Sequence, residues 1–116
     1  MRVFGLTFVA FSSLAFGITP EAREFLDISK KLEPVQCEKR QLRRQIVQAE
    51  VEKRAADAEA LKKKFAALNA DRDTTKLEKR LAVLEARLLD SQGKPRHPED
   101  LDAISFQQRE AFYRCE

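Results

Sequence analysis

The chain lacks tryptophan altogether and has one histidine, two cysteines and three glycines among its 116 residues. Each scarcity excludes a kind of chemistry. A structural zinc site takes four nitrogen or sulfur ligands at characteristic spacing, and Cys37, His97 and Cys115 have no such spacing. There is no CxxC pair to act as a redox motif. With so little glycine there is no phosphate-cradling loop and no nucleophile elbow. His97 stands between Arg96 and Pro98, with no positioned nucleophile or carboxylate to make it a catalytic base. It reads as a solvated loop residue or the neighbour of a helix cap. The expectation is therefore no catalytic residue, no metal site and no cofactor, and a chain that is not an enzyme.

A dominant charge is missing too. Twenty-two Lys and Arg face nineteen Asp and Glu, for a net of +3. That balance creates no strong field for nucleic acid or an anionic bilayer. RQLRR (40–44) and KKK (62–64) are basic clusters, but no aromatic lies beside the first and only Phe65 beside the second. A single-stranded nucleic-acid platform needs several. Both clusters read as solvated helix faces, and no nucleic-acid partner is expected.

Only one long apolar run is present. Arg2 precedes an uncharged stretch from Val3 to Phe16, followed by small residues at peptidase spacing (Ser13 and Ala15, or Ala15 and Gly17). This is the layout of a secretory signal, so residues 1–17 are expected to be removed and 18–116 to form one domain. The alternative is a retained anchor over residues 3–19. It falls short of the roughly 20 apolar residues that a span requires. No cysteine at the cleavage site supports a lipid anchor.

What remains is rich in Ala, Leu, Glu, Lys, Arg and Gln, the composition of long helices and coiled coils. Thr19 as cap, Pro20 at the first helical position and Glu21 in the first turn start a helix over 20–33, with Phe25, Ile28 and Leu32 on one face. Pro34 is expected to interrupt it. A second helix is expected over 35–70, where Val47, Val51, Ala55, Ala58, Leu61, Phe65 and Leu68 step by three and four; Leu42, Ile46 and Ala49 form a neighbouring stripe. Asn69 to Thr75 reads as the turn, with Asp73 or Thr74 capping a third helix over 74–91 that carries Leu77, Leu81, Leu84 and Leu88. SQGKPRHP (91–98) breaks it, and a last helix runs over 98–115. The fold class is all-α: an elongated, coiled-coil-like antiparallel hairpin with short N- and C-terminal helices.

An even cysteine count in an exported chain favours a disulfide. Cys37 and Cys115 would close most of the domain into one loop, a gain of about 4–5 kcal/mol in the chain-entropy model. An intermolecular bridge is the alternative. With the hairpin tip near residue 72, residue counting places Cys115 beside Cys37 if the last helix continues in line with the third. It also places Glu99 near Lys53. Phe106, Phe112 and Tyr113 are expected to cover the end of the hairpin beside the disulfide, the other reading being a partner-binding patch.

A short apolar N-terminus, a charged coiled coil and a late cysteine resemble the inner-membrane spanins of phages and small periplasmic helical proteins. The resemblance is one of overall pattern and assigns no residue roles. The functional expectation is a small periplasmic or secreted helical protein that binds a protein partner or acts as a chaperone-like module. Val47, Val51, Leu61, Phe65, Leu68, Phe112 and Tyr113 are the candidate contact residues, with a homodimer through the seam also open. The alternative is a coiled coil spanning envelope space, held in the inner membrane by residues 3–19.

Overall fold

The computed structural model describes residues 17–115. The apolar run at 3–16, on which the signal and anchor readings rest, lies outside the described residues. Within them the chain is all-α and forms four helices: α1 (Pro20–Val51), α2 (Ala55–Ala70), α3 (Arg72–Leu88) and α4 (Pro98–Arg114).

Helix α1 starts as the residues dictate. Thr19 is extended and its hydroxyl accepts the Ala22 N–H, while Pro20 takes the first helical position, where its missing N–H costs nothing. The helix does not stop at Pro34. It runs through for 32 residues, about 48 Å at 1.5 Å per residue. Pro34 is exposed, so its ring meets solvent rather than the core. Residues on either side of it, Glu33 and Cys37, are tied to α4. Tertiary contacts thereby override a local cost of up to about 3 kcal/mol.

With the proline passed, Phe25, Ile28, Leu32, Val35, Lys39, Leu42, Ile46 and Ala49 become one seam. Their steps alternate three and four, the spacing of a heptad core. All are buried or half-buried.

The expected 35–70 helix is broken instead at residues 52–54. The Arg54 N–H donates to the Ala49 carbonyl (2.8 Å) and the Lys53 N–H to the Glu50 carbonyl (3.1 Å). This is the Schellman termination, whose extra residue must be left-handed, and Lys53 has φ 60°. The chain reverses here, so the hairpin tip lies at residue 53 rather than 72. Helix α2 returns antiparallel along α1: Lys62 meets Glu50 at 2.9 Å, and Arg43 lies over the Phe65 ring at 5.6 Å.

Asp71 then bends the chain and caps α3, accepting the Thr74 N–H at 2.9 Å. The cap is thus neither Asp73 nor Thr74. Helix α3 continues in the direction of α2 along the rest of α1, with Lys39 on Glu78 (3.1 Å) and Arg80 on Glu24 (2.7 Å). It ends at Leu88. A tight loop follows: Asp90 accepts the N–H groups of Gln92 and Lys94, Gly93 takes φ 79°, and Leu89 and Pro95 form a single antiparallel bridge. This loop reverses the chain, so α4 does not continue in line with α3. It runs back beside α1 and parallel to it.

The molecule therefore has a three-helix base, made by the first half of α1 with α3 and α4, and a two-helix arm made by the second half of α1 with α2. The base core is Phe25, Ile28, Leu32, Leu84 and Ile104, flanked by Leu26, Val35, Leu77, Leu81 and Leu88. Burying side chains of this kind stabilises by about 1.5–3 kcal/mol each.

Candidate functional site

Helix α4 is fixed on α1 at one constant offset. Thr19 contacts Asp100, the Leu26 carbonyl accepts from Gln107, and Glu33 accepts from Arg114, each pair 81 residues apart. Residues 19, 26 and 33 recur every seven, as do 100, 107 and 114. Two parallel helices meeting at that interval stay in register along their length. Cys37 and Cys115 close the far end as a disulfide, with Cα atoms 5.5 Å apart.

The near end is closed by a buried carboxylate. Asp100 is 3% exposed. Its two oxygens accept the Thr19 backbone N–H (2.9 Å) and the Thr19 hydroxyl (2.7 Å). The Thr19 oxygen in turn accepts from Ala22. One acid thus joins the N-termini of two parallel helices, where the macrodipoles favour a negative charge. It does not approach Lys53 and Arg54, as residue counting had suggested for this acidic end. Arg54 instead pairs with Glu52 and Asp57 at the tip. His97 precedes Asp100 as the N-cap residue of α4, without a side-chain cap bond.

At the other end, two guanidinium hydrogen bonds from Arg114 hold the Glu33 carboxyl below the ordinary range, against the opposing effect of burial. Arg80 does the same to Glu24 on the α3 side.

Helices α3 and α4 both lie on α1 and leave a cleft between them. Phe25 contributes to both of its parts. One, of about 160 Å³, is walled by Leu88, Leu89, Leu101 and Ile104. The other, of about 290 Å³, is walled by Leu81, Gln108, Ala111 and Phe112 and reaches Arg40. Glu85 and Asp100 line the first part and Glu33 the second, beside the amides of Gln107 and Gln108. Among the described residues no group of three or more His, Cys, Asp or Glu side chains is placed to hold a metal ion.

The candidate contact residues separate into two sets. Leu61, Phe65 and Leu68 are half-buried and share the α2 face that carries buried Ala58. That stretch of the expected seam is partly covered within the chain. Val47 and Val51 are 59% and 74% exposed, because they lie on the outer side of α1 and not in its seam. Phe106, Phe112 and Tyr113 are also exposed, at 59%, 57% and 71%. The Phe112 ring stands edge-on to Tyr113 and lies under the Arg40 guanidinium, 5.4 Å from its centroid. Leu101, at 47%, is a further exposed apolar residue of α4. Comparison with protein-family models, curated proteins and solved structures gives no match.

Proposed function

We propose that this is an exported, non-catalytic module that binds a protein partner. The observation that supports it most is a set of large apolar side chains left in solvent, Val47, Val51, Leu101, Phe106, Phe112 and Tyr113, on helices held by a disulfide. Phe112 and Tyr113 adjoin, their ring centroids 5.8 Å apart, and an exposed apolar patch on a rigid element is the ordinary mark of a contact surface. The disulfide supports the exported half of the reading, since such bonds persist in oxidising compartments.

Export is tested by intact mass of the protein recovered from cells. A species beginning at Phe16 or Ile18 and oxidised by one bridge is the expected result; a full-length chain in the membrane fraction points to the anchored coiled coil instead. No helix among the described residues is long and apolar enough to cross a membrane. Binding is tested by photo-crosslinking from positions 51 and 113 in the exported fraction. A defined adduct with another protein is expected, and adducts only with itself, or none, count against the reading.

A further inference from the structure

Helix α4 occupies one lane on α1, over Thr19, Leu26, Glu33, Cys37 and Arg40. The lane does not stop where α4 does. Continued at steps of four, three and four beyond Arg40, it passes through Arg44, Val47 and Val51. These three are exposed, the valines at 59% and 74%. The base therefore has a third helix along this side of α1, and the arm has none. From Arg44 to Val51 the open lane is about 11 Å long, two turns of helix.

The arm is also the basic part of the molecule. Residues 38–70 carry nine basic and five acidic side chains, whereas 18–37 and 71–116 together carry twelve and fourteen. The arm acids are largely used inside the arm. Glu50 holds Lys62 at 2.9 Å, and Glu52 and Asp57 hold Arg54 at 2.8 and 2.7 Å. RQLRR and KKK, with Arg44 and Lys62 eighteen residues apart in sequence, are brought to the same two-helix segment by the turn at Lys53, and Arg43 reaches the Phe65 ring beside KKK. Arg44, Lys63 and Lys64 have no acidic partner among the described residues.

Resting on the protein-binding reading, we infer that the open lane takes an acidic amphipathic helix of a protein partner, aligned end to end with α4. Its apolar face covers Val47 and Val51, and its carboxylates meet Arg44. Charge argues against the other occupants. A second copy would bring its own arm of net +4 against this one. A bilayer needs a broader apolar face than two valines.

The test uses the oxidised full domain and three labelled three-heptad helical peptides sharing one leucine seam, flanked by Glu, Gln or Lys. Fluorescence anisotropy is expected to show binding of the Glu peptide, weaker binding of the Gln peptide and none of the Lys peptide, with affinity falling as salt rises. Arg44→Glu, and separately Val47→Gln with Val51→Gln, should each weaken the Glu peptide by about tenfold. Circular dichroism should be unchanged, since these side chains are exposed. Arg72→Glu, outside the lane, should leave binding intact. Equal binding of all three peptides overturns the charge argument. Binding lost on changing Phe112 and Tyr113 but not Arg44 or Val47 leaves the protein-binding reading standing and removes the lane. A dimer in sedimentation that Val47→Gln dissolves gives the lane to a second copy and overturns the proposal, as does attachment to anionic vesicles without peptide binding. Failure of every peptide overturns it as well.

Discussion

Arg114 grips Glu33 through two hydrogen bonds of 2.8 and 3.0 Å at the same 81-residue offset that sets Asp100 on Thr19. The two contacts lie at opposite ends of one helix pair, four turns apart, and together fix both the position and the direction of α4. The disulfide follows from that register, because Cys115 comes one residue after Arg114 and Cys37 one turn after Glu33.

The Asp100 carboxylate and Thr19 should act as a unit. Asp100→Ala is expected to cost about 2 kcal/mol, since it leaves the half-buried Thr19 N–H and hydroxyl without their acceptor. Thr19→Val should cost about 1–2 kcal/mol through loss of the α1 cap and the same hydrogen bond. The double variant should cost clearly less than the sum. Chemical denaturation of the four proteins measures this, and additivity within about 0.3 kcal/mol would mean that the two side chains do not cooperate.

Lys39 is the one charged residue in the α1 seam. Its side chain is 11% exposed and its partner Glu78 is 37% exposed. Lys39→Met should be neutral or slightly stabilising, because the stem is already packed and the ammonium need no longer be desolvated. Glu78→Ala should destabilise by about 1–2 kcal/mol, less than for a fully buried pair because Glu78 is partly in water. If instead Lys39→Met is the more harmful change, the ion pair is a net source of stability.

Lys53 occupies a left-handed position that glycine adopts without strain. Lys53→Gly should raise stability by about 0.5–1 kcal/mol, and Lys53→Val should lower it by about 1–2 kcal/mol. Thermal unfolding ranks the three. Were valine tolerated as well as glycine, the reversal at residues 52–54 would not be present in solution.

Acid should loosen the base. Glu24, Glu33, Asp71 and Asp90 are all held below their ordinary values, chiefly by hydrogen bonds from Arg80, Arg114, the Thr74 N–H and the Lys94 N–H respectively. As pH falls through the ordinary values of 4.5 for Glu and 3.8 for Asp, the unfolded chain takes up protons first. Their contribution is therefore complete above about pH 5 and is lost as pH drops through the lowered folded values. The melting temperature should fall below about pH 4.5, and Glu24→Gln with Glu33→Gln should flatten that dependence.

Much of this was legible in the residues. Thr19 and Pro20 announce α1, the four leucines of α3 lie on its inner face, and two lone cysteines in a helical chain point to each other. Two local signals misled in opposite directions. Pro34 looks like a stop, but Glu33 and Cys37 on either side are gripped by α4, and no local pattern shows that. The reversal at residues 52–54 carries no glycine, proline or asparagine, because a lysine takes the left-handed position. Reading Pro34 as a break split the true seam in two. Reading through Lys53 then joined Val47 and Val51, which lie on the outer side of α1, to Ala58, Leu61, Phe65 and Leu68, which lie on the inner side of α2. The hairpin tip moved with them, and with it the direction of α4. The pairing of Cys37 with Cys115 survives because either path brings α4 to the middle of α1. The exposure of Phe112 and Tyr113 could not be seen from sequence for the same reason: it depends on which side of α1 the last helix runs.

The reversal at Lys53 creates the two-helix arm, the open lane and the joining of the basic clusters, so it is the feature to measure. Spin labels placed at positions 44 and 63 of the oxidised protein, both exposed and without charged partners, report it by double electron–electron resonance. The hairpin predicts a single short separation, below about 20 Å once label length is included. A continuous helix through residue 53 would set the two positions nineteen residues apart, about 28 Å at 1.5 Å per residue, and a distribution centred there would contradict the arm.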